Sequence, residues 1–405
     1  MRGLDKGIRF TRSKGLICYI GILSITLLLN ILAWTSSAFC DAYIANVFPI
    51  WVNTYGRITG LFPFSVGEGL IVTGVLLVTA AVLLGIVWGC CRLVRVFRPV
   101  KSAGNSRIGR WMWRFYLFFA WTLLIVWLIM TLNCAILYHA STFSENYFGE
   151  DTGKYSVEEL FRVRNLVVER CNYYAGIVAR DEGGMIQYPE NIHEDMADQA
   201  ILAMQKLGQT YPQLDGYYPR PKPLISSDFL CQQYMQGYYF PFSMEANYND
   251  VMYVMNKPET LCHELAHLRG YIYEDEANFI SYLACIQSDD LYFQYSGYLS
   301  VLNYLNNDIY RISQSDPDIY ARACEEVPLV QVEPQVVEDN VFVLPEEWDR
   351  INAKAFLKTD TVEEVTDVFL DTSLRVHGVS DGIVSYSRVV RLLLQYYQYV
   401  EEVPE

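Results

Sequence analysis

Pro258-Glu259-Thr260-Leu261-Cys262-His263-Glu264-Leu265-Ala266-His267 is the stretch from which the rest of the chain is read. Pro258 suits the first turn of a helix, so the pattern predicts a helix over about 258–268. Leu261, Leu265 and Leu268 then form an apolar stripe that buries one side. Residues four apart lie on one helical face, so His263 and His267 present two imidazoles to one point. Glu264, one residue on, stands beside that face, where a carboxylate can take a proton from water. Two histidines and a glutamate in this order form the spacing of a zinc site with a general base. The plainer alternative is two surface histidines and a solvated glutamate on an ordinary helix.

A catalytic zinc takes three protein ligands and keeps one position open. Downstream stands Gly270-Tyr271-Ile272-Tyr273-Glu274-Asp275-Glu276-Ala277-Asn278-Phe279. Gly270 can end the first helix and turn the chain back. A second helix is expected to begin in the acids, with Glu274 as the third ligand and Glu276 as its alternative. Asn278, four residues after Glu274, is placed to hydrogen-bond a ligand histidine. An acidic first turn is also what the helix dipole alone favours. Upstream, Gly237–Met244 and Val251–Met255 read as strands, and Gly237-Tyr238-Tyr239-Phe240-Pro241-Phe242 as an edge able to pair with an extended peptide. Helices are expected at 157–178, 194–207, 275–285, 292–305, 346–369 and 383–400, with an extended arm at 326–343. The order points to an α+β domain.

The segment His263–His267 followed by Glu274–Phe279 resembles the zincin metallopeptidases of the gluzincin type. That resemblance implies a zincin-like fold, Zn2+ as cofactor, His263, His267 and Glu274 as ligands, Asn278 in support and Glu264 as general base. The second helix follows sooner than in the well-known gluzincins. Tyr273 occupies the position of the third histidine of metzincins, which argues against that class. The layout also resembles an uncharacterised bacterial membrane family, domain-of-unknown-function family 3810, whose activity is itself inferred from the motif.

Three apolar runs precede this region, at about 16–34, 70–88 and 113–137. Each reaches the roughly 20 residues that cross the hydrocarbon core as a helix. Arg2, Lys6, Arg9, Arg12 and Lys14 precede the first. Arg92, Arg95, Arg98, Lys101, Arg107 and Arg110 lie between the second and third, with Arg114 at the third's edge. By the positive-inside rule the N-terminus is cytoplasmic, in a multi-pass cell-membrane protein with residues 139–405 outside the cytoplasm. The first span reads as an uncleaved anchor. Residues 1–138 carry 13 Lys/Arg against 3 Asp/Glu, and residues 139–405 carry 18 against 43. An acidic domain excludes a nucleic-acid footprint, which is basic. The ten cysteines show no CxxC spacing and read mostly as buried thiols.

The expected activity is hydrolysis of a peptide or protein substrate outside the cytoplasm. His377, Tyr386 and Arg388 are candidates for stabilising the oxyanion, with His377 placed among the catalytic residues. Tyr271 and Tyr273 lie near the motif without distinguishing themselves. His139 reads as a membrane-edge residue and His193 as a surface one. The competing readings are a non-catalytic zincin-fold receptor or scaffold, and a zinc hydrolase of a cell-envelope amide. An intramembrane protease is disfavoured because Glu259, Arg269, Glu274 and Asp275 surround the motif.

Overall fold

The structure, a computed structural model, describes residues 2–97, 107–149, 155–187, 192–355, 358–363, 366 and 386–402. It begins with α1 (Arg2–Thr35), α2 (Ser37–Asn46), α3 (Val66–Phe97) and α4 (Arg107–Met130). Three segments are long and apolar enough to cross a bilayer: Lys14–Thr35, Val66–Cys91 and Ile108–His139. Their outward side chains are bare hydrocarbon, with Ile17 68% and Leu76 65% exposed. In water that surface is costly, and in lipid it is at rest, so these helices fit a membrane protein. Ser36 starts α2 by accepting the Phe39 N–H at 3.2 Å.

The remainder is mostly helical, with one small sheet. Helix α5 (Val157–Ile177) opens on a reciprocal cap, in which Ser156 and Glu159 each accept the other's backbone N–H. Helix α6 (Ile192–Thr210) follows, then β1 (Lys222–Pro223), β2 (Gly237–Phe240) and β3 (Glu245–Tyr248). Strand β3 is central, parallel to β1 and antiparallel to β2, with Gly237 opposite Tyr248 and Phe240 opposite Glu245. Helix α7 (Lys257–His267) lies between this sheet and the helices α8 (Glu274–Ile286) and α9 (Leu291–Ser315). Helix α9 packs along α5, and α10 (Tyr386–Glu402) packs against α8 and α9. Shorter helices span Pro317–Glu326, Pro334–Asp339 and Pro345–Lys354.

Three expectations are corrected. The second strand is Glu245–Tyr248, while Val254–Asn256 forms a helical turn. Glu245-Ala246-Asn247-Tyr248 reads poorly as a strand, because its glutamate needs a buried partner, which Lys222 supplies from β1. The helix expected over 346–369 leaves helical geometry at Ala355 (φ −65°, ψ 126°). The arm at 326–343 contains the helix Pro334–Asp339, fastened by Arg180, which donates to both Asp339 carboxylate oxygens at 2.9 and 2.6 Å.

One hydrophobic core runs through both parts of the chain. It includes Tyr43, Ile44, Phe48 and Val52 from the connection between the first two spans, together with Leu261 and Leu265 of α7. Polar contacts reinforce it. Glu245 accepts the Val66 and Gly67 N–H groups at 3.1 and 2.8 Å, at the start of α3. A carboxylate at a helix N-terminus satisfies unpaired donors and the positive end of the helix dipole. Lys222 pairs with Glu245 and donates to the carbonyls of Thr59 (2.7 Å) and Phe64 (3.1 Å). Asp41 accepts from the Ser141 N–H and hydroxyl, both at 2.8 Å.

Candidate metal centre

Helix α7 is almost wholly buried, so its polar residues are held by design of their surroundings. Lys257 donates to the Asp250 carbonyl (2.7 Å) and carboxylate (2.9 Å), and Pro258 occupies the first turn. Ser281 donates to Glu259 at 2.7 Å. The turn that follows the helix closes at Gly270, which has φ +92° and donates to the His267 carbonyl at 3.0 Å. This left-handed backbone suits glycine. Its Cβ position would also lie 2.9 Å from Ile44, so the turn needs both the conformation and the space.

That turn returns the chain so that α8 begins beside the end of α7. His263 Nε2 and His267 Nε2 stand 3.1 Å apart. Glu274 brings one carboxylate oxygen to 3.1 Å from His263 Nε2 and the other to 3.8 Å from His267 Nε2. The three donor atoms lie within 4.8 Å of one another. Donors at 2.0–2.1 Å from a tetrahedral ion stand about 3.3 Å apart, so the spacing suits one small cation. His267 Nδ1 lies 2.7 Å from the Tyr271 carbonyl. Nδ1–H donates there, which leaves the Nε2 lone pair facing the cluster. Glu274 is the open side, with a half-exposed side chain, whereas both histidine rings are largely covered.

Glu264 lies beside the cluster and is buried. Its Oε2 has no hydrogen-bond partner among the described residues. Its Oε1 lies 2.7 Å from where a Cβ would stand on Gly237, the first residue of β2. Burial lifts the Glu264 carboxyl to about 8, against the attraction of His263. Burial lowers the His263 imidazole, but its hydrogen bond to Glu274 and the charges of Glu274, Glu264 and Glu259 prevail and hold it at about 10. Burial, with the charge of His263, lowers His267 to about 4. Glu274 is raised by burial and lowered more strongly by His263 and His267, to about 2. Without a cation the cluster therefore stores a proton between His263 and Glu274.

Glu276, the alternative third donor, points elsewhere. Its carboxylate accepts the Phe143 N–H at 2.9 Å and the Ser144 hydroxyl at 3.2 Å. Two residues along a helix is a rotation of about 200°, so Glu274 and Glu276 face opposite ways. Asn278 does not reach a histidine; its amide donates to the Tyr304 hydroxyl at 3.3 Å. The support expected of Asn278 comes from the Tyr271 carbonyl. Arg388 lies 3.8 Å from Asp275, at the start of α8. His377 and the Tyr386 and His193 side chains lie outside the described residues. His139 packs against Trp34 with ring centres 4.4 Å apart and planes tilted by 50°, at the end of the third candidate span. Tyr273 donates to the Tyr138 carbonyl at 2.7 Å.

Two contributors carry no signal of their own in the sequence. The Tyr271 carbonyl is a backbone group, which any residue supplies. Gly237 reads as a strand start, and only its surroundings show why a side chain does not fit there: a Cβ would stand 2.5 Å from the Asn247 carbonyl oxygen and 2.7 Å from Glu264 Oε1.

No curated protein and no solved structure matches this chain. The family described as "Protein of unknown function (DUF3810)" matches residues 43–394, and to that family this chain belongs.

Proposed function

We propose that this protein is a membrane-anchored zinc metallopeptidase of the gluzincin type, acting on peptides or proteins outside the cytoplasm. The observation that carries the reading is the convergence of His263, His267 and Glu274 beside Glu264, a buried carboxylate with an unpartnered oxygen. Two imidazoles and one carboxylate are a catalytic rather than a structural zinc set, because a fourth position stays open. Zinc there supplies a Lewis acid that acidifies water and polarises a carbonyl.

The chain's own residues supply the rest. Strand β2 is an edge of its sheet, so an extended peptide can add to it by main-chain hydrogen bonds. Its first residue touches Glu264, which sets that peptide's backbone beside the carboxylate. Glu264 takes the proton from the attacking water and passes it to the leaving amine. In the metal-free protein burial raises this carboxyl above the ordinary carboxylate range, the direction that suits a base that must also return its proton. The Tyr271 carbonyl holds the His267 tautomer through both steps. A non-catalytic scaffold has no use for an unpartnered glutamate at this place. The basic residues before the first span and between the second and third support a cytoplasmic N-terminus.

The test is zinc content and peptide hydrolysis by the full chain purified in detergent. Wild type is expected to hold about one zinc per chain. Glu264→Gln keeps the zinc and loses hydrolysis by roughly 10²–10⁴-fold. A wild type without zinc after growth and purification in its presence sinks the reading.

A further inference from the structure

The position of the cluster relative to the candidate spans narrows its substrates. Three separate links tie the site to the ends of the second and third spans. The first runs along β2. Gly237 meets Glu264 at one end, and at the other Phe240 packs against Gly67, where a Cβ would stand 2.8 Å from its ring. Gly67 is the second residue of the span Val66–Cys91. The second link runs through Tyr239, whose ring lies 6.0 Å from the His267 ring and whose hydroxyl donates to the Asn133 carbonyl at 3.2 Å. Asn133 in turn donates to the Pro241 carbonyl at 2.8 Å. It sits in a widened helical turn, Thr131–Ala135, inside the span Ile108–His139. The third link is Tyr273, the neighbour of Glu274, bonded to the Tyr138 carbonyl at the end of that same span.

These links fix a height. Three residues of strand, from Gly237 to Phe240, cover about 10 Å. The headgroup layer is roughly 5–8 Å deep on each side of the hydrocarbon. The metal cluster therefore stands within about 10 Å of the ends of these spans, no higher than the outer edge of the headgroups. It is held there rather than swinging, because the connection between the first two spans shares the core behind α7. The surface beside the start of α3 agrees. Leu61 and Ile225 are 80% and 86% exposed, with Phe62, Phe64 and Phe229 also exposed. Ile225 is fixed to this level by Glu68, in the first turn of α3, which accepts its N–H at 3.0 Å. Apolar side chains ringing the end of a span rest in the membrane interface.

Resting on the peptidase reading, we propose that the substrates are membrane-anchored proteins, cut in an extended segment just outside their own span. An extended chain advances about 3.3–3.6 Å per residue. A peptide rising from the bilayer to this site thus spans only a few residues before the scissile bond. A soluble peptide reaches the same site without the benefit of that height.

The test uses the full-length, zinc-loaded protein in phosphatidylcholine–phosphatidylglycerol vesicles. The probe is a single-span reporter followed by an unstructured flank of roughly 40 residues. One cleavable module, chosen from a free peptide library, is placed either about 5 or about 35 residues from the span. Both are tethered, but a longer flexible flank also dilutes the module, so a third reporter lifts the same module on a helical spacer of about 20 residues, roughly 30 Å, and isolates height. The near module is expected to be cut at least ~10-fold faster than the lifted one. Equal rates, or a faster lifted module, overturn the inference while leaving a peptidase standing. No cleavage of reporter or library overturns the peptidase reading and this inference with it. A second readout needs no activity: a photo-crosslinking amino acid at Leu61 or Ile225 is expected to label lipid in the vesicles. Crosslinks to neither lipid tail nor headgroup overturn the assigned height.

Discussion

Gly237 and Glu264 stand so close that any side chain on the first would occupy the space of the second's carboxylate, 2.7 Å from the Cβ position. Strand edge and candidate base are thus one fitted unit. Gly237→Ala would meet the Asn247 carbonyl at 2.5 Å as well as Glu264, and is expected to displace Glu264 without touching the three converging donors. Overpacking of this kind costs about 1–3 kcal/mol. Hydrolysis should fall by more than ~10-fold while zinc content stays unchanged. Zinc analysis beside a kinetic assay checks this, and an active Gly237→Ala protein contradicts the fit.

The two acids of α8 should separate cleanly. Glu274→Gln is expected to lose zinc, since it removes a charged donor. Glu276→Ala is expected to keep zinc and lose stability, because the Phe143 N–H loses its acceptor. A buried donor left unsatisfied costs about 1–3 kcal/mol. Thermal unfolding in detergent with metal analysis distinguishes the two. Zinc lost from Glu276→Ala alone would move the third ligand.

The stability of the metal-free protein should fall more steeply with rising pH than that of the metal-loaded protein. Glu264 and Glu276 are each raised to about 8, mainly by burial, above an ordinary 4.5. His263 stands at about 10, above an ordinary 6.5. In each case the folded state binds more protons than the unfolded one, so stability falls as pH rises. His267 at about 4 and Glu274 at about 2 act in the other direction, but only below 6.5 and 4.5. Between pH 6.5 and 8 the metal-free protein is therefore expected to lose stability as pH rises. Zinc must displace the proton of His263, so its binding strengthens over the same window. The gap in Tm between the two forms should widen from pH 6.5 to 8. A gap that narrows contradicts the protonation assigned to the cluster.

Glu245→Gln tests the joint between sheet and membrane helix. It leaves Lys222 buried without its counter-charge and weakens the cap on Val66 and Gly67. Breaking a buried ion pair on one side costs about 3–5 kcal/mol. The unfolding midpoint should fall accordingly, and a shift below ~1 kcal/mol would show that water reaches Lys222.

Much of this was legible from local pattern. The two histidines, the helix that carries them and the three apolar runs follow from spacing and length alone. Glu274 and Glu276 were not separable, because both lie in one acidic turn. Only Phe143 and Ser144, more than a hundred residues away, explain where Glu276 points. Asn278 looked like the histidine's support because it is a side chain with a donor, whereas the group in place is a backbone carbonyl. Strand β3 was missed because its charge is neutralised by a residue from another strand. The α+β expectation reduces to a mostly helical body with a small three-stranded sheet.

The shared interior behind α7 has a practical consequence for anyone handling this protein. Cutting the chain at 139 to obtain a water-soluble fragment would discard Tyr43, Ile44, Phe48 and Val52, which are walls of the same room as Leu261 and Leu265. Such a fragment would open a greasy breach directly behind the paired histidines and free the Gly270 turn from the side chain that braces it. Silence from that truncated protein would report the missing wall, so purification in detergent or vesicles is the condition under which this chain is whole.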